Sequence, residues 1–334
     1  MKTFTLALPS KGAIAEPTDA FLREAGLKVS RPNPRQYVGS LATIPNLNLL
    51  FQRVKDVVYK VSDGTVELGI TGLDVVYENP HENLIVIHNR LNYGHCSLVV
   101  AVPEAWIDVK NMGDLAEVAQ DLRENQHRSL RIATTFPTLT REFFHKHHIH
   151  HFSIVKAEGA IEAAPTLGYA DVIVDLTQSG TTLRENHLKP IVGGTIVDSQ
   201  ACLVGNRQAL LKNPELLDIV RQLTEYMDAT LNGRDYLQLV VDIQGDTPQD
   251  VAHKIMQNPS TSGLLGPTIA PIYAPDGGTH WHTVTIVVSN KNLLPAVDYL
   301  RAIGGSHVII SPIKYVFLEQ SATYTKLLQK LGLS

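Results

Sequence analysis

The stretch Glu158–Leu183, EGAIEAAPTLGYADVIVDLTQSGTTL, decides the fold. Within it Val172–Asp175 is an apolar run closed by a carboxylate, which is the pattern of a buried strand with a charged end. The turn Leu176–Gly180 follows, and Thr181 and Thr182 open a helix. Strand, turn and helix in that order make an α/β unit, and such sheets bind ligands at the carboxyl ends of their strands. Asp175 stands at such an end. The turn offers backbone N–H groups, the hydroxyls of Thr177, Ser179, Thr181 and Thr182, and a helix N-terminus, all of which favour a phosphate. Asp175 can also accept hydrogen bonds from ribose hydroxyls, so the arrangement suits a ribose 5-phosphate. A plain strand–turn–helix with a hydroxyl cap accounts for the same residues, and both readings stand at this point.

Working outward, short apolar runs alternate with helical patterns over most of the chain. Thr3–Leu8 reads as a strand that breaks at Pro9-Ser10-Lys11-Gly12, followed by a helix through Phe21 and Leu22 that stops at Gly26. Leu47–Arg53 is a second strand, Asp56–Val61 a short helix ending at Asp63-Gly64, and Val66–Thr71 a third strand. A second small α/β region comprises strands at Ser97–Pro103, Leu130–Thr134, Phe152–Lys156 and Asp171–Leu176, with a helix at Leu139–His147. Ile191–Val204 holds further strand-like runs and returns to the first region. Asn213–Leu231 is an amphipathic helix with Asn213-Pro214 as its N-cap and first position, and Gly233 marks a boundary. Beyond it come a strand (Tyr236–Val241), a helix (Gln249–Met256), two strands (Pro267–Ile272, Trp281–Ser289), an Asn290-capped helix (Lys291–Ile303) and a last strand (His307–Ser311). That βαββαβ order is the ferredoxin-like plan.

Composition sets outer limits. The chain has 334 residues, enough for two or three domains, and 44% are hydrophobic, which fits ordinary globular cores. Lys+Arg 29 against Asp+Glu 33 gives a net charge of −4, so no basic excess points to nucleic acid. The two cysteines, Cys96 and Cys202, form no CxxC pattern and no disulfide framework, which fits a reducing cytoplasm. The opening residues MKTFTLALPSKG lack the long apolar core of a secretory signal, and no window approaches the ~18 uncharged apolar residues of a membrane helix. His145, His147, His148, His150 and His151 invite a metal reading, but they span a helix end and a loop, where polar and cationic side chains are favoured on a solvated surface.

The opening stretch resembles the signature of the ATP phosphoribosyltransferases, the first enzymes of histidine biosynthesis. It carries Glu162, then Gly168 after five residues, then Ala170, Ile173, Asp175 and Ser179-Gly180-Thr181-Thr182-Leu183. The resemblance continues in Leu8-Pro9 with Lys11-Gly12, in Leu49–Arg53, Asp56 and Asp63-Gly64, and in Leu68-Gly69-Ile70-Thr71-Gly72-Leu73-Asp74. Ala133-Thr134, Pro137 and Leu139-Thr140-Arg141 match the start of the second domain, and Gly266-Pro267-Thr268-Ile269-Ala270-Pro271 resembles the approach to the regulatory domain of the long form.

The resemblance implies a catalytic region built like a type II periplasmic binding protein, with two lobes around a cleft. Lobe I is then 1–98 with 190–232, lobe II is 99–189 with the phosphoribosyl loop, and 233–334 is an ACT-like regulatory domain. It implies transfer of the ribosyl group of phosphoribosyl pyrophosphate to N1 of the adenine of ATP, with Mg2+ on the leaving pyrophosphate and protein ligands to the metal unassigned. Glu162 and Asp175 are the expected catalytic carboxylates, and Thr177, Gln178, Ser179, Gly180, Thr181 and Thr182 the phosphoribosyl and phosphate contacts. Lys11, Gly12, Arg53 and Asp74 are the expected ATP and pyrophosphate contacts, although Asp74 serves equally as an N-cap of Val75–Glu78. Ser262, Thr268 and Ala270, beside the glycine-bounded segment Gly263–Gly266, are expected to hold histidine as an inhibitor. A homo-oligomer, a hexamer for the long form, is the expected assembly, without nucleic acid or membrane. Ala13, Ser97 and Cys202 stand where the family usually has Arg, which keeps open a non-catalytic paralogue that binds a phosphosugar or nucleotide for regulation.

Overall fold

The alternating runs assemble into three sheets in the computed structural model, which describes residues 2–33, 36–157, 159–264, 266–273 and 280–333. Glu158 of the signature stretch and Leu265 of the Gly263–Gly266 segment lie outside the described residues. In chain order the first elements are β1 (Phe4–Pro9), α1 (Ala15–Glu24), β2 (Val29–Ser30), β3 (Val38–Leu41), β4 (Leu47–Gln52), α2 (Val54–Ser62), β5 (Leu68–Gly72), α3 (Leu73–Glu78) and β6 (Leu84–His88). A second group follows: β7 (Cys96–Pro103), α4 (Met112–Gln126), β8 (Leu130–Thr134), α5 (Pro137–Lys146), β9 (Phe152–Lys156), β10 (Val172–Thr177), α6 (Thr181–Glu185) and β11 (Leu188–Ser199). Then come β12 (Ala201–Asn206), α7 (Arg207–Lys212) and α8 (Pro214–Arg234). The last are β13 (Tyr236–Gln244), α9 (Pro248–Met256), β14 (Thr268–Pro271), β15 (Trp281–Ser289), α10 (Leu293–Ala302), β16 (Ser306–Pro312) and α11 (Ala322–Leu331).

The first sheet runs β2-β3-β4-β1-β5-β12-β6, with β1 parallel to β4 and β5 and β12 antiparallel to both its neighbours. The second runs β11-β7-β10-β8-β9, with β8 parallel to β9 and β10. Val172, Ile173 and Val174 of β10, which is antiparallel to β7 and parallel to β8, are all fully buried, because this central strand packs one core on each face. That burial is why the run reads as continuously apolar up to Asp175. Around this strand Leu98, Val100, Ile132, Phe144, Val172 and Val174 share one core.

The chain forms two compact units, Met1–Ile219 and Val220–Ser334. The second unit carries the sheet β14-β15-β13-β16, antiparallel throughout. Its β15 alternates, burying His282, Val284, Ile286 and Val288 on one face, as period-two patterning requires of a strand covered on one side. The order β13-α9-β14-β15-α10-β16 is the βαββαβ sequence expected. Among the described residues no helix is long and apolar enough to cross a membrane.

Several local expectations change. Ile191–Val204 does not return to the first sheet as a whole: β11 stays on β7 as far as Ser199, and only β12 crosses back. A single residue, Gln200, makes the transfer, its carbonyl taking the N–H of Leu73 and its side chain the N–H of Asn92. The second sheet therefore spans Cys96–Ser199, wider than residues 99–189. The helix expected over Lys291–Ile303 begins as a 3-10 turn at Asn290–Asn292 and turns α-helical only from Leu293. Gly233 lies inside α8, not at its end; a side chain there would meet the carbonyls of Ile313 and Lys314 at 2.9 and 2.6 Å, so close backbone approach explains this glycine.

Candidate active site

The carboxyl ends of β1, β4 and β5 in the first sheet and of β8 and β10 in the second lead into one cavity of about 430 Å³. Ala13, Ile14, Val54, Lys55, Gly72, Asp74 and Val75 line it from the first lobe, and Cys96, Thr135, Phe136, Asp175, Leu176, Thr177 and Gln178 from the second. An adjoining space of about 340 Å³ shares Lys55, Val75, Thr135 and Phe136 and adds Tyr59, Glu78 and Lys156.

Asp175 is positioned by the register of β10 on β7, where it pairs with Val99. Its Oδ1 accepts the N–H of Leu176 at 2.8 Å, leaving the rest of the carboxylate toward the cavity. Burial pushes its pKa up to about 6, and the charge of Glu162 adds to the rise while the Leu176 amide opposes it. Glu162 itself sits in a 3-10 turn, Ile161–Ala163, beside Asp175.

The loop after β10 is tied to itself. Gly180 N–H donates to Thr177 Oγ1 at 2.9 Å, the hydroxyls of Ser179 and Thr181 share a bond of 2.9 Å, and Arg184 reaches Ser179 O and Thr181 Oγ1 at 3.3 and 3.2 Å. Gly180 has φ +73°, and a Cβ there would lie 3.1 Å from Arg184 Nη1. Glycine is thus favoured by the left-handed turn, and an added methyl would press the Arg184 side chain aside by a few tenths of an ångström. The helix that opens here, α6, has five residues, so the expected dipole contribution is small and the loop's amides, hydroxyls and Arg184 are its means of holding an anion.

Opposite the loop, Asp74 lies in the first turn of α3, whose N-cap is Gly72; Asp74 is therefore not the cap itself. Its Oδ1 accepts the Ser199 hydroxyl at 2.6 Å, and its own N–H donates back to Ser199 Oγ at 2.9 Å. Close by, burial and the Asp74 charge push the Cys96 thiol up to about 11, so it is a neutral group at the cavity wall. Cys202 is fully buried in β12, and burial raises its thiol pKa further. Ser97 Oγ donates to Asp198 across the β7–β11 pair at 2.6 Å. Small neutral side chains thus occupy the three positions, 13, 97 and 202, where arginine was expected, and two of them are committed to sheet packing or pairing.

Of the residues expected from sequence, the cavity brings together Asp74, Asp175, Thr177 and Gln178, while Glu162 is off the lining but close enough for its charge to act on Asp175. Ser179, Thr181 and Thr182 are exposed on the loop beyond. Lys11, Gly12 and Arg53 lie at the adjoining ends of β1 and β4, exposed and off the lining. The cations that do face the two spaces are Lys55 and Lys156. Lys55 was missed in the sequence, where the helix was expected only from Asp56; the signal that could have found it is that α2 begins directly after β4, so its first turn stands at a strand's carboxyl end. In the second unit, Thr268 and Ala270 share the exposed face of β14, and Ser262 Oγ donates to Pro259 O.

Comparison with known proteins adds a second line. The family model described as ATP phosphoribosyltransferase matches residues 53–228, and the model for the HisG C-terminal domain matches residues 234–315. Arabidopsis thaliana ATP phosphoribosyltransferase 2, chloroplastic, is 41% identical over 98% of this chain and 80% of its own length. The chain belongs to the ATP phosphoribosyltransferase family. It is accordingly a transferase of the first step of histidine biosynthesis. The ATP phosphoribosyltransferase of Bradyrhizobium diazoefficiens is 34% identical over 97% of both chains. Among solved structures, the Thermotoga maritima ATP phosphoribosyl transferase (HisG:HisZ) complex overlays with a TM-score of 0.53 at 24% identity, covering 68% of this chain and 99% of that one, which supports the fold of the first unit.

Proposed function

We propose that the chain joins N1 of the adenine of ATP to C1 of phosphoribosyl pyrophosphate. The carrying observation is the convergence of Asp175, Thr177 and Gln178 with Asp74 and Lys55 on one cavity in a member of this family. The N1 lone pair forms the new bond as the C1–O bond to pyrophosphate breaks, so charge is redistributed and no protein nucleophile is needed. Positioning and electrostatic stabilisation supply the rate. Ionised Asp175 and Glu162 accept the ribose hydroxyls. The loop Thr177–Thr182, with Arg184, holds the 5-phosphate, and Lys55, Lys156, Lys11 and Arg53 offset the triphosphate and pyrophosphate charge.

The described residues contain no group of three or more His, Cys, Asp or Glu able to cage a metal, while the cavity offers hard carboxylate oxygens at Asp74 and Asp175. That donor set fits Mg2+ brought in on substrate phosphates with one protein carboxylate, and the ion would supply neutralisation of the leaving group's charge. Mixing ATP, phosphoribosyl pyrophosphate and Mg2+ with the chain tests the reading. An N1-ribosylated adenine adduct and free pyrophosphate are expected. Binding of both substrates without either product would overturn it in favour of a regulatory paralogue.

We read the two lobes as the type II periplasmic-binding-protein plan and 233–334, with its antiparallel βαββαβ module, as an ACT-like regulatory domain. That module would bind free histidine beside Ser262, Thr268 and Ala270 and lower activity. Histidine must then favour one quaternary state over another, since equal affinity shifts nothing. Exposed Ile309 and Ile310 on the edge strand β16 favour a homo-oligomer, a hexamer, joined partly through 236–318. Calorimetry that detects no histidine binding at millimolar concentration would sink the regulatory part, and light scattering that returns a monomer mass would sink the assembly. Free Cys96 and Cys202 fit a reducing compartment such as the cytoplasm.

A further inference from the structure

We infer that Glu78 is a positioning residue, a clasp that fastens the first lobe to the second and thereby sets the shape of the reaction cavity. Its kinetic consequence rests on the function proposed above; the contact itself does not. Glu78 is the last residue of α3 and is 8% exposed. One carboxylate oxygen accepts the N–H of Thr138 at 2.8 Å and the other the N–H of Leu139 at 3.0 Å. These are the second and third residues of α5, whose amides have no partner inside the helix, and the N-cap Phe136 has no side chain able to serve them. A carboxylate on another lobe therefore does the work that Ser or Asp usually does locally, with the helix dipole in its favour.

Geometry links this clasp to the cavity. Asp74 and Glu78 are four apart in α3 and so share a face. Asp74 grips Ser199 of β11, and Glu78 grips α5, so this one short helix holds two elements of the second lobe. Thr135 and Phe136, the residues leading into α5, line the cavity opposite Lys55, whose Nζ stands 5.9 Å from the Phe136 ring. Any slip of α5 moves Phe136 against Asp74 and Lys55.

The test uses the full chain with Glu78→Ala, Glu78→Gln, Thr138→Pro and the pair Glu78→Ala/Thr138→Pro. Proline at this second helical position removes one donor that has no acceptor inside the helix to lose. Hydrogen exchange over residues 135–141, without ligand, should speed up on the order of tenfold in Glu78→Ala, the effect of losing charge-assisted bonds. With substrates, KM for both should rise about tenfold while kcat stays within about twofold. The double variant should be no worse than the worse single one, since both remove the same contact. Unchanged exchange, additive losses, or a loss confined to kcat would overturn the clasp. The exchange arm needs no turnover, so it decides the clasp even if the chain makes no product. Where Glu78→Ala does not fold, Glu78→Gln, which keeps one acceptor oxygen, carries the same comparison.

Discussion

At the residue scale, Asp175 carries the sharpest pH signature. Its folded pKa of about 6 lies above the ordinary aspartate value of 3.8, so the folded chain binds the proton more tightly than the unfolded one. Stability from this group is full below about pH 4 and is lost as pH rises through 6. Asp175→Asn should therefore raise the melting temperature at neutral pH, by roughly 1–3 kcal/mol in stability, with no advantage at pH 4. Activity should run the other way, rising with pH through about 6 as the carboxylate ionises, and Asp175→Asn should abolish both the rise and most of the turnover. A pH–rate profile of kcat/KM set beside thermal melts checks both signs. Gly180→Ala should cost about 1–2 kcal/mol for the left-handed backbone and displace Arg184, lowering kcat/KM while the fold persists; unaltered kinetics would remove this loop from the site. Asp175 was readable because a buried strand ending in a carboxylate leaves little else for it to do. Lys55 and Glu78 were not, since a cation and a carboxylate on short amphipathic helices look like solvated surface until the facing lobe is known.

At the scale of elements, the start of β10 is held by an ion cluster. Asp171, one residue before the strand, accepts bonds from Arg128 Nη1 at 2.7 Å, from Arg131 Nη2 at 2.9 Å and from the Arg131 backbone at 2.8 Å. Burial alone would raise its pKa, but the arginine bonds outweigh it and keep the carboxyl below its ordinary value. Its contribution is full above the ordinary carboxylate pKa and is lost as pH falls from there through the lowered folded value. Asp171→Asn should cost about 1–3 kcal/mol at neutral pH, read by urea unfolding, and a difference inside experimental error would show the cluster to be solvent-screened. Strands such as β8, β9 and β15 were legible to the residue because they are apolar or strictly alternating. Helix α4 was missed: its buried positions, Met112, Leu115, Ala119 and Leu122, are spaced as a helix face, but Asp, Glu, Gln and Arg dilute them. Its start was nonetheless written in Asn111 and Asp114, which form a reciprocal capping box. The edge strand β2 and its neighbour β3 are too short and polar to register as apolar runs.

At the scale of the whole molecule, the plan of two sheets followed by an antiparallel module was visible in the order of elements, whereas the crossing points were not. Nothing in the composition of Ile191–Val204 distinguishes a strand on β7 from a strand on β5; only pairing across the sheets does. The second sheet and its helices form a continuous segment with a core of their own, from Leu98 to Ile191. A fragment of residues 95–200 should therefore fold alone, giving a mixed α/β circular dichroism spectrum and a cooperative melt. A broad, non-cooperative melt would show that the segment depends on the first sheet.

The return of β12 between β5 and β6 has a consequence for how the chain is born. Val204 pairs with Gly69 and with Val86, so the first sheet lacks an interior strand until the polypeptide has been made past Asn206. A ribosome proceeding from the N-terminus thus finishes the inserted segment before the part that precedes it can close. During that interval the nascent β5 and β6 present unpaired edges of Leu, Ile and Val, the surface a chaperone would have to shield.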